Sequence, residues 1–309
     1  MSDSTDLDLI DGIIYADAFD CAVSLEEVCK YSRVRISLPD MRERLARAPL
    51  REMVGERGGY YFLHGREDLV TQRISRRGRA LRLKQRARSV ARWLQHAPFV
   101  RGLVLTGSVA AEDALSDADI DMLIIVAHHR ISLAFLLLGG ISRLLSRRLF
   151  CPNYYLSAAH LALTRRDYYV ARELSQAVAL TETTQALFDA NPWTQEVLPN
   201  GRAADAPVRR IVGGLLLQHL FEAPFRGQFG SWCEHRAGRI VESRLAAHYC
   251  RFKLAVPPEI KERFADGIEL RFHAEPRVNS ALERYRIRRD QLARRLKELE
   301  TPGAHSVSA

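Results

Sequence analysis

The sequence predicts a mixed α/β protein of the α+β class, in which a small mixed sheet lies between two largely helical regions. Residues 99–126 (FVRGLVLTGSVAAEDALSDADIDMLIIV) have the pattern of an apolar strand, a Gly-Ser turn, a short polar helix and a second apolar strand. Three segments with helical spacing and a glycine-turned hairpin precede them, and helical periodicity returns at 208–254 and 279–299. These three observations divide the chain into an N-terminal part, a central sheet and a helical C-terminal region.

Composition places the chain among ordinary globular proteins. It has 309 residues, 47% of them hydrophobic, which favours about two domains. The N-terminus is acidic, no apolar run reaches the length of a membrane span, and five widely spaced cysteines indicate reduced thiols. We therefore expect a cytoplasmic protein with no membrane contact. A net charge of +9 and a pI near 9.6 favour polyanionic partners such as nucleic acid or nucleotides.

The first 65 residues predict three helices and a hairpin. Apolar spacing places a helix at 7–20, Ser24 caps a second helix that continues to Tyr31, and the third covers 38–48. Gly58-Gly59 then separates two short strands. This order is that of a winged helix, so we expect a winged-helix-like domain at 1–65. Two roles remain open for it, namely nucleic-acid binding through the third helix and a rigid or protein-contacting support.

Residues 66–98 predict a basic connector that consists mainly of one long helix, 66–95. One interpretation is a solvated connector; the other is a ridge that contacts the phosphates of RNA or DNA beside the central site. The basic side chains of this helix are Arg73, Arg76, Arg77, Arg79, Arg82, Lys84, Arg86, Arg88 and Arg92.

The chemistry concentrates in the central segment. Asp119 and Asp121 lie on one face of a predicted strand because side chains alternate, while Ile120 points into the core. Two adjacent carboxylates repel each other and are normally tolerated when they share a cation. Gly107 and Ser108 lie where a strand ends and a helix begins, a position whose free N–H groups favour a phosphate. The segment thus predicts a site for Mg²⁺ and a nucleoside triphosphate.

This motif resembles that of the nucleotidyltransferases of the DNA polymerase β superfamily, which combine Gly-Ser with Asp-x-Asp at the head of a strand. Thr106-Gly107-Ser108 and the segment 116–121 fill those places. Weaker flanking segments resemble a prokaryotic branch with an N-terminal winged helix: Phe62–Leu69, Cys151–Leu156, Ala171–Leu174 and Leu198–Asn200.

The resemblance implies a nucleotidyltransferase core at 99–201. Asp119 and Asp121 would hold Mg²⁺ or Mn²⁺, and Gly107 and Ser108 would bind the triphosphate of ATP or another nucleotide. A hydroxyl of an RNA, a protein or a small molecule would attack the α-phosphorus and release pyrophosphate, with two metal ions stabilising the attacking and leaving oxygens. The base preference and the acceptor stay open.

One position departs from the family pattern. The resemblance implies a third acidic residue on the strand predicted at 149–157, and the residue that matches it is Asn153. Asparagine offers one neutral oxygen to a metal ion and cannot accept a proton. Asp167 would compensate only if the following loop folded back. The rival interpretations are therefore a catalytically impaired regulator that binds a nucleotide or nucleic acid, and a protein-interaction scaffold.

The remaining segments are expected to be helical around the sheet. Patterns indicate an apolar helix at 132–147, helices at 165–180 and 184–190, and a linker at 201–207. A helical C-terminal region at 202–300 follows, with a charged last helix at 279–299 and a disordered tail at 301–309. Two Cys/His pairs offer a zinc alternative, but their spacing favours buried structural cysteines; they are Cys233, His235, His248 and Cys250.

Overall fold

The computed structural model describes residues 3–145, 150–201, 212–272 and 275–300. It is a mixed α/β fold with two sheets, which confirms the predicted class. The predicted linker, apart from Gly201, and the predicted tail at 301–309 lie outside the described residues. Within them, no helix combines the length and the apolarity needed to cross a bilayer.

The N-terminal part contains the predicted three helices and the hairpin. Ser24 forms a capping box with Glu27 at the start of the second helix, and both turn glycines, Gly58 and Gly59, adopt positive φ. An unpredicted two-residue strand adds to the hairpin, so that the antiparallel sheet has the order β1-β3-β2. The elements are α1 (Asp3–Asp17), β1 (Val23–Ser24), α2 (Leu25–Lys30), α3 (Leu38–Leu45), β2 (Val54–Arg57), β3 (Tyr60–Leu63) and the long helix α4 (Asp68–Leu94).

The central sheet has the order β7-β4-β5-β6-β8; β5 and β6 run parallel and the other neighbours antiparallel. Two of its strands come from short segments that periodicity does not reveal, β7 (Val178–Ala179) and β8 (Glu269–Arg271). The predicted helix at 165–180 accordingly ends at Gln176. The other central elements are β4 (Val100–Leu105), α5 (Gly107–Ala110), β5 (Asp121–Val126), α6 (Ile131–Leu145), β6 (Cys151–Ser157), α7 (Tyr168–Gln176), α8 (Gln185–Asp189) and α9 (Thr194–Val197).

The C-terminal region is helical apart from β8, as predicted. It contains α10 (Val212–Glu222), α11 (Gly227–Cys250), α12 (Pro258–Ala265) and α13 (Glu275–Glu300). Helix α13 packs on α1 through ion pairs: Arg288 contacts Asp17 at 3.0 Å and Arg289 contacts Asp8 at 2.6 Å. The last helix therefore joins the N-terminal part of the chain.

Both faces of the central sheet are buried. Alternate residues of each strand point to opposite sides, and each side packs against helices. Leu103 and Ile124 share a core with α4, α6, α11 and α12. Val104 and Leu123 belong to a second core, which includes α1, α7 and α13. The N-terminal part thus shares one continuous core with the sheet, and the edge at which β5 begins lies between these layers.

Candidate functional site

The two predicted carboxylates lie at the start of β5. Asp121 is the first residue of the strand, and Asp119 lies just before it instead of within it as predicted; Ile120 between them is fully buried. Burial raises the pKa of Asp121 to about 7, and the negative charges of Asp119 and Glu173 add to this rise. The ionised carboxylate of Asp121 is therefore destabilised here, as expected at a position that a cation would neutralise.

Gly107 lies directly against Asp121. Its φ is +68°, and a Cβ atom at this position would come within 2.8 Å of Asp121 Oδ2, so a larger residue would displace the carboxylate. The Thr106 N–H donates to the Asp121 carbonyl at 3.0 Å, and the exposed Ser108 follows at the start of α5. The structure thus brings the Gly-Ser turn to the carboxylates.

Asn153 completes the group through a β-bulge. Met122 lies opposite Pro152 and Leu123 opposite Tyr154, which leaves Asn153 as the extra residue of β6. Its Nδ2 donates to Asp121 Oδ1 at 2.7 Å. Its Oδ1 is buried and has no hydrogen-bond partner within the described part of the chain. A buried oxygen in this state lacks a compensating interaction that a ligand could provide.

These oxygens fit Mg²⁺ or Mn²⁺. Both ions prefer oxygen ligands, and the group offers two carboxylates and the unpartnered amide oxygen of Asn153. Among the described residues, no three His, Cys, Asp or Glu side chains are arranged to hold a metal ion. Asn153 Oδ1 is therefore the candidate for a third protein oxygen beside the two carboxylates, and water or phosphate oxygens would complete the coordination of Mg²⁺.

Glu173 of α7 is a further residue of the site; it belongs to the segment Ala171–Leu174, for which the sequence indicated a resemblance but no role in the site. Its carboxylate accepts a hydrogen bond from the backbone N–H of Gly107, and burial raises its pKa to about 7. Its charge also contributes to the raised pKa of Asp121. A phosphate that bound the Gly107 amide would have to replace this carboxylate.

A cavity of about 220 Å³ opens between the N-terminal part and the sheet, with Gly107, Ser108 and Glu173 in its wall. We call it the Gly107 cavity. Its two arginines are already committed to other groups. Arg73 pairs with Glu27 at 2.6 Å, and Arg172 lies over the rings of Tyr15 and Tyr31 at 4.3 and 4.2 Å from their centroids. Both therefore support the walls of the cavity.

A second cavity, of about 300 Å³, has Asn153 in its wall. We call it the Arg251 cavity. It lies between α6, the start of β6 and α11, and its basic side chains are Arg143, Arg244, His248 and Arg251. Because Asn153 bonds Asp121 and Asp121 lies against Gly107, a chain of direct contacts connects the two cavities.

Helix α4 supports the loop between the Gly-Ser turn and the carboxylates. Arg77 and Lys84 both contact Glu112 at 2.9 Å, and the Arg79 guanidinium donates to the Ala114 carbonyl at 2.7 Å. Arg76 pairs with Asp113. With Arg73, which pairs with Glu27, five of the basic side chains predicted on the connector are therefore engaged within the protein, which favours a connector over a ridge that contacts phosphates.

Other candidates lie apart from these contacts. Asp167 is the N-cap of α7 and pairs with Arg165, while Ser116 and Asp117 are exposed in a turn. Helix α11 holds both Cys/His pairs, separated by about 22 Å along its axis, so they cannot meet at one zinc ion. Cys233 is half-buried and Cys250 exposed, so the prediction of buried cysteines is wrong for both.

Comparison of the chain with family models, with curated proteins and with solved structures gives no match. Function is therefore inferred from the geometry and chemistry of the site.

Proposed function

We propose that this protein is a metal-dependent nucleotidyltransferase that moves a nucleoside monophosphate from a triphosphate to a hydroxyl acceptor. The observation that supports this proposal best is the position of Asp121 between two residues. Gly107 lies against its Oδ2, and its Oδ1 accepts a hydrogen bond from Asn153, whose own side-chain oxygen is buried without a partner among the described residues. The proposal includes a winged-helix-like N-terminal unit, supported by the order of its helices and hairpin. It also includes a nucleotidyltransferase-type sheet, supported by the mixed order of β4, β5 and β6.

Each residue of the site has a proposed role. Asp119, Asp121 and Asn153 Oδ1 would hold Mg²⁺ or Mn²⁺, which when bound supplies Lewis-acid stabilisation of charge on phosphate oxygens. Gly107 and Ser108 would hold the triphosphate through the backbone amide and the hydroxyl group. Because Asn153 cannot accept a proton, we expect turnover about 10²–10⁴-fold below that of a site with a general base at this position.

A second candidate function is a nucleotide- or nucleic-acid-binding regulator with the same fold. Two observations favour it, namely the amide at Asn153 and the Glu173 carboxylate on the Gly107 amide that a phosphate would need. Asn153→Asp separates the two candidates. If the wild-type protein transfers no nucleotide and Asn153→Asp does, the wild-type chain is the regulator.

The primary experiment is label transfer. The purified protein is incubated with Mg²⁺ or Mn²⁺ and each α-labelled nucleoside triphosphate, with cellular RNA, lysate protein or small metabolites added separately. Asp119→Asn and Asp121→Asn should abolish transfer, whereas Asp117→Asn, an exposed change in the same loop, should retain it. Equal transfer by all variants would contradict the proposal, and metal-dependent triphosphate binding without transfer would favour the regulator.

A further inference from the structure

The Arg251 cavity presents positive charge that the protein itself does not neutralise. None of Arg143, Arg244 and Arg251 forms an ion pair with any described residue, and no described Asp or Glu lines the cavity. Arg143 comes from α6, Arg244 from α11, and Arg251 directly follows the last residue of α11. Like charges that converge from separate elements repel one another, and a bound anion would relieve that repulsion.

His248 adds a polar group of a different kind. One of its ring nitrogens hydrogen-bonds the Phe272 carbonyl, while Nε2 is buried and has no partner within the described residues. Burial and the neighbouring Arg251 lower the pKa of His248, which favours the neutral ring. In the neutral ring the nitrogen that donates to the Phe272 carbonyl carries the proton. Nε2 is then a hydrogen-bond acceptor, which would suit the hydroxyl group of a ligand.

The position of the cavity connects it to the proposed chemistry. Cys151 and Asn153, the first strand residues beside Asp121, form part of its wall. Phe135 and Phe272 stack with centroids 4.8 Å apart and give it an apolar side. A ligand in contact with Asn153 would therefore be separated from the Asp121 carboxylate by that one side chain.

We propose that the Arg251 cavity binds the hydroxyl acceptor, and that this acceptor carries a phosphate group close to its hydroxyl. The arginines would bind the phosphate and His248 Nε2 would accept from the hydroxyl group. The terminal ribose of an RNA and a small sugar phosphate share this chemistry. The acceptor role rests on the proposed nucleotidyltransferase function; the binding of a hydroxylated phosphate compound does not.

The test is a binding measurement on the full chain. The probes are a short fluorescein-labelled single-stranded RNA with a free 3′-hydroxyl, followed by anisotropy, and ribose 5-phosphate, followed by calorimetry. Arg244→Gln and Arg251→Gln should each weaken binding about tenfold, since each removes one charge-assisted contact. Arg239→Gln removes the same charge from an exposed position of the same helix and should change binding less than twofold.

The hydroxyl contact has its own control. The wild-type protein should bind RNA with a 3′-hydroxyl several-fold more tightly than RNA with a 3′-deoxy end, and His248→Phe should remove that preference. The probe with the larger response to the arginine substitutions identifies the source of the ligand. Equal weakening by Arg239→Gln, or no binding of either probe, would overturn the proposal.

Binding of ATP with Mg²⁺ in the same variants separates this inference from the proposed function. It should stay unchanged in Arg244→Gln and Arg251→Gln. If these variants lose ATP binding and retain RNA and sugar-phosphate binding, the cavity holds the triphosphate, which overturns the acceptor assignment while nucleotidyl transfer stands. If they lose only RNA or sugar-phosphate binding but the wild-type protein transfers no label, the ligand assignment stands and the proposed function fails.

Discussion

The Gly107 cavity and the Arg251 cavity are connected by direct contacts, yet they use arginine in opposite ways. In the first, Arg73 is only 3% exposed and is paired with Glu27, and Arg172 lies over two tyrosine rings. In the second, the arginines have no ion-pair partner among the described residues. Positive charge therefore serves the fold in one cavity and remains available to a ligand in the other.

This difference leads to a division of roles between the cavities. Buried and paired charges are expensive to disrupt, because the loss of one partner leaves the other uncompensated. Exposed or half-buried charges without partners contribute little to stability, so their loss should leave the fold largely unaffected. Substitutions in the two cavities should consequently affect different observables.

The largest expected effect is on stability. Arg73→Gln should lower the free energy of unfolding by about 3 kcal/mol, because it leaves Glu27 without its cationic partner. Arg244→Gln should change it by less than about 0.5 kcal/mol. Urea denaturation of both variants measures the contrast. Similar losses in the two variants would remove the distinction between the cavities.

The contact between Gly107 and Asp121 gives the next largest effect. Gly107→Ala forces a left-handed φ on alanine and places Cβ against the carboxylate, so we expect a loss of about 2–3 kcal/mol and weaker Mn²⁺ binding. Gly58→Ala also has a positive φ but meets no atom within 4 Å, and it should lose about 1 kcal/mol with unchanged Mn²⁺ binding. Thermal denaturation and metal titration of the pair test this.

Asp121→Asn should stabilise the metal-free protein. The folded pKa of about 7 lies above the ordinary aspartate value of 3.8, so ionisation opposes folding increasingly between these pH values and fully above pH 7. The substitution removes this penalty, and we expect a gain of about 1–2 kcal/mol at pH 8 that disappears near pH 4. Denaturation at both pH values checks the sign; destabilisation at pH 8 would contradict it.

The smallest effect concerns the charge of the Gly107 cavity. At pH 8, above its pKa of about 7, Glu173 is mostly ionised; Glu173→Gln can still accept from the Gly107 amide but removes that negative charge from the wall, so ATP binding should tighten about three- to fivefold. Glu182→Gln neutralises an exposed carboxylate and serves as the control. Calorimetry in the presence of Mg²⁺ gives both affinities. Weaker binding in Glu173→Gln would show that the carboxylate assists the nucleotide.

The sequence was most informative where local patterns decide the structure. Residues close together in the chain were enough to predict four features. These are the capping box at Ser24, the glycine hairpin, the Gly-Ser turn and the Asp-x-Asp segment. The bulge at Asn153 and the bond of Glu173 to Gly107 depend on tertiary packing between distant segments, which periodicity does not encode. The Arg251 cavity also combines distant elements, so its arginines were not distinguishable from other surface charges in the sequence.

Short strands account for most of the difference in the fold. β1 and β7 have two residues each and β8 has three, too few for an alternating pattern to stand out. Each forms because it reaches the edge of an existing sheet, as Val178 does beside Leu105. The predicted class did not depend on these edge strands.

The most direct test of the central claim is Mn²⁺ binding, followed by the loss of the electron paramagnetic resonance signal of the free ion. We predict that the wild-type protein and Asp117→Asn bind Mn²⁺. Asp119→Asn and Asp121→Asn should not bind it. Equal binding by all four proteins, or no binding by the wild-type protein, would contradict a metal site at the start of β5.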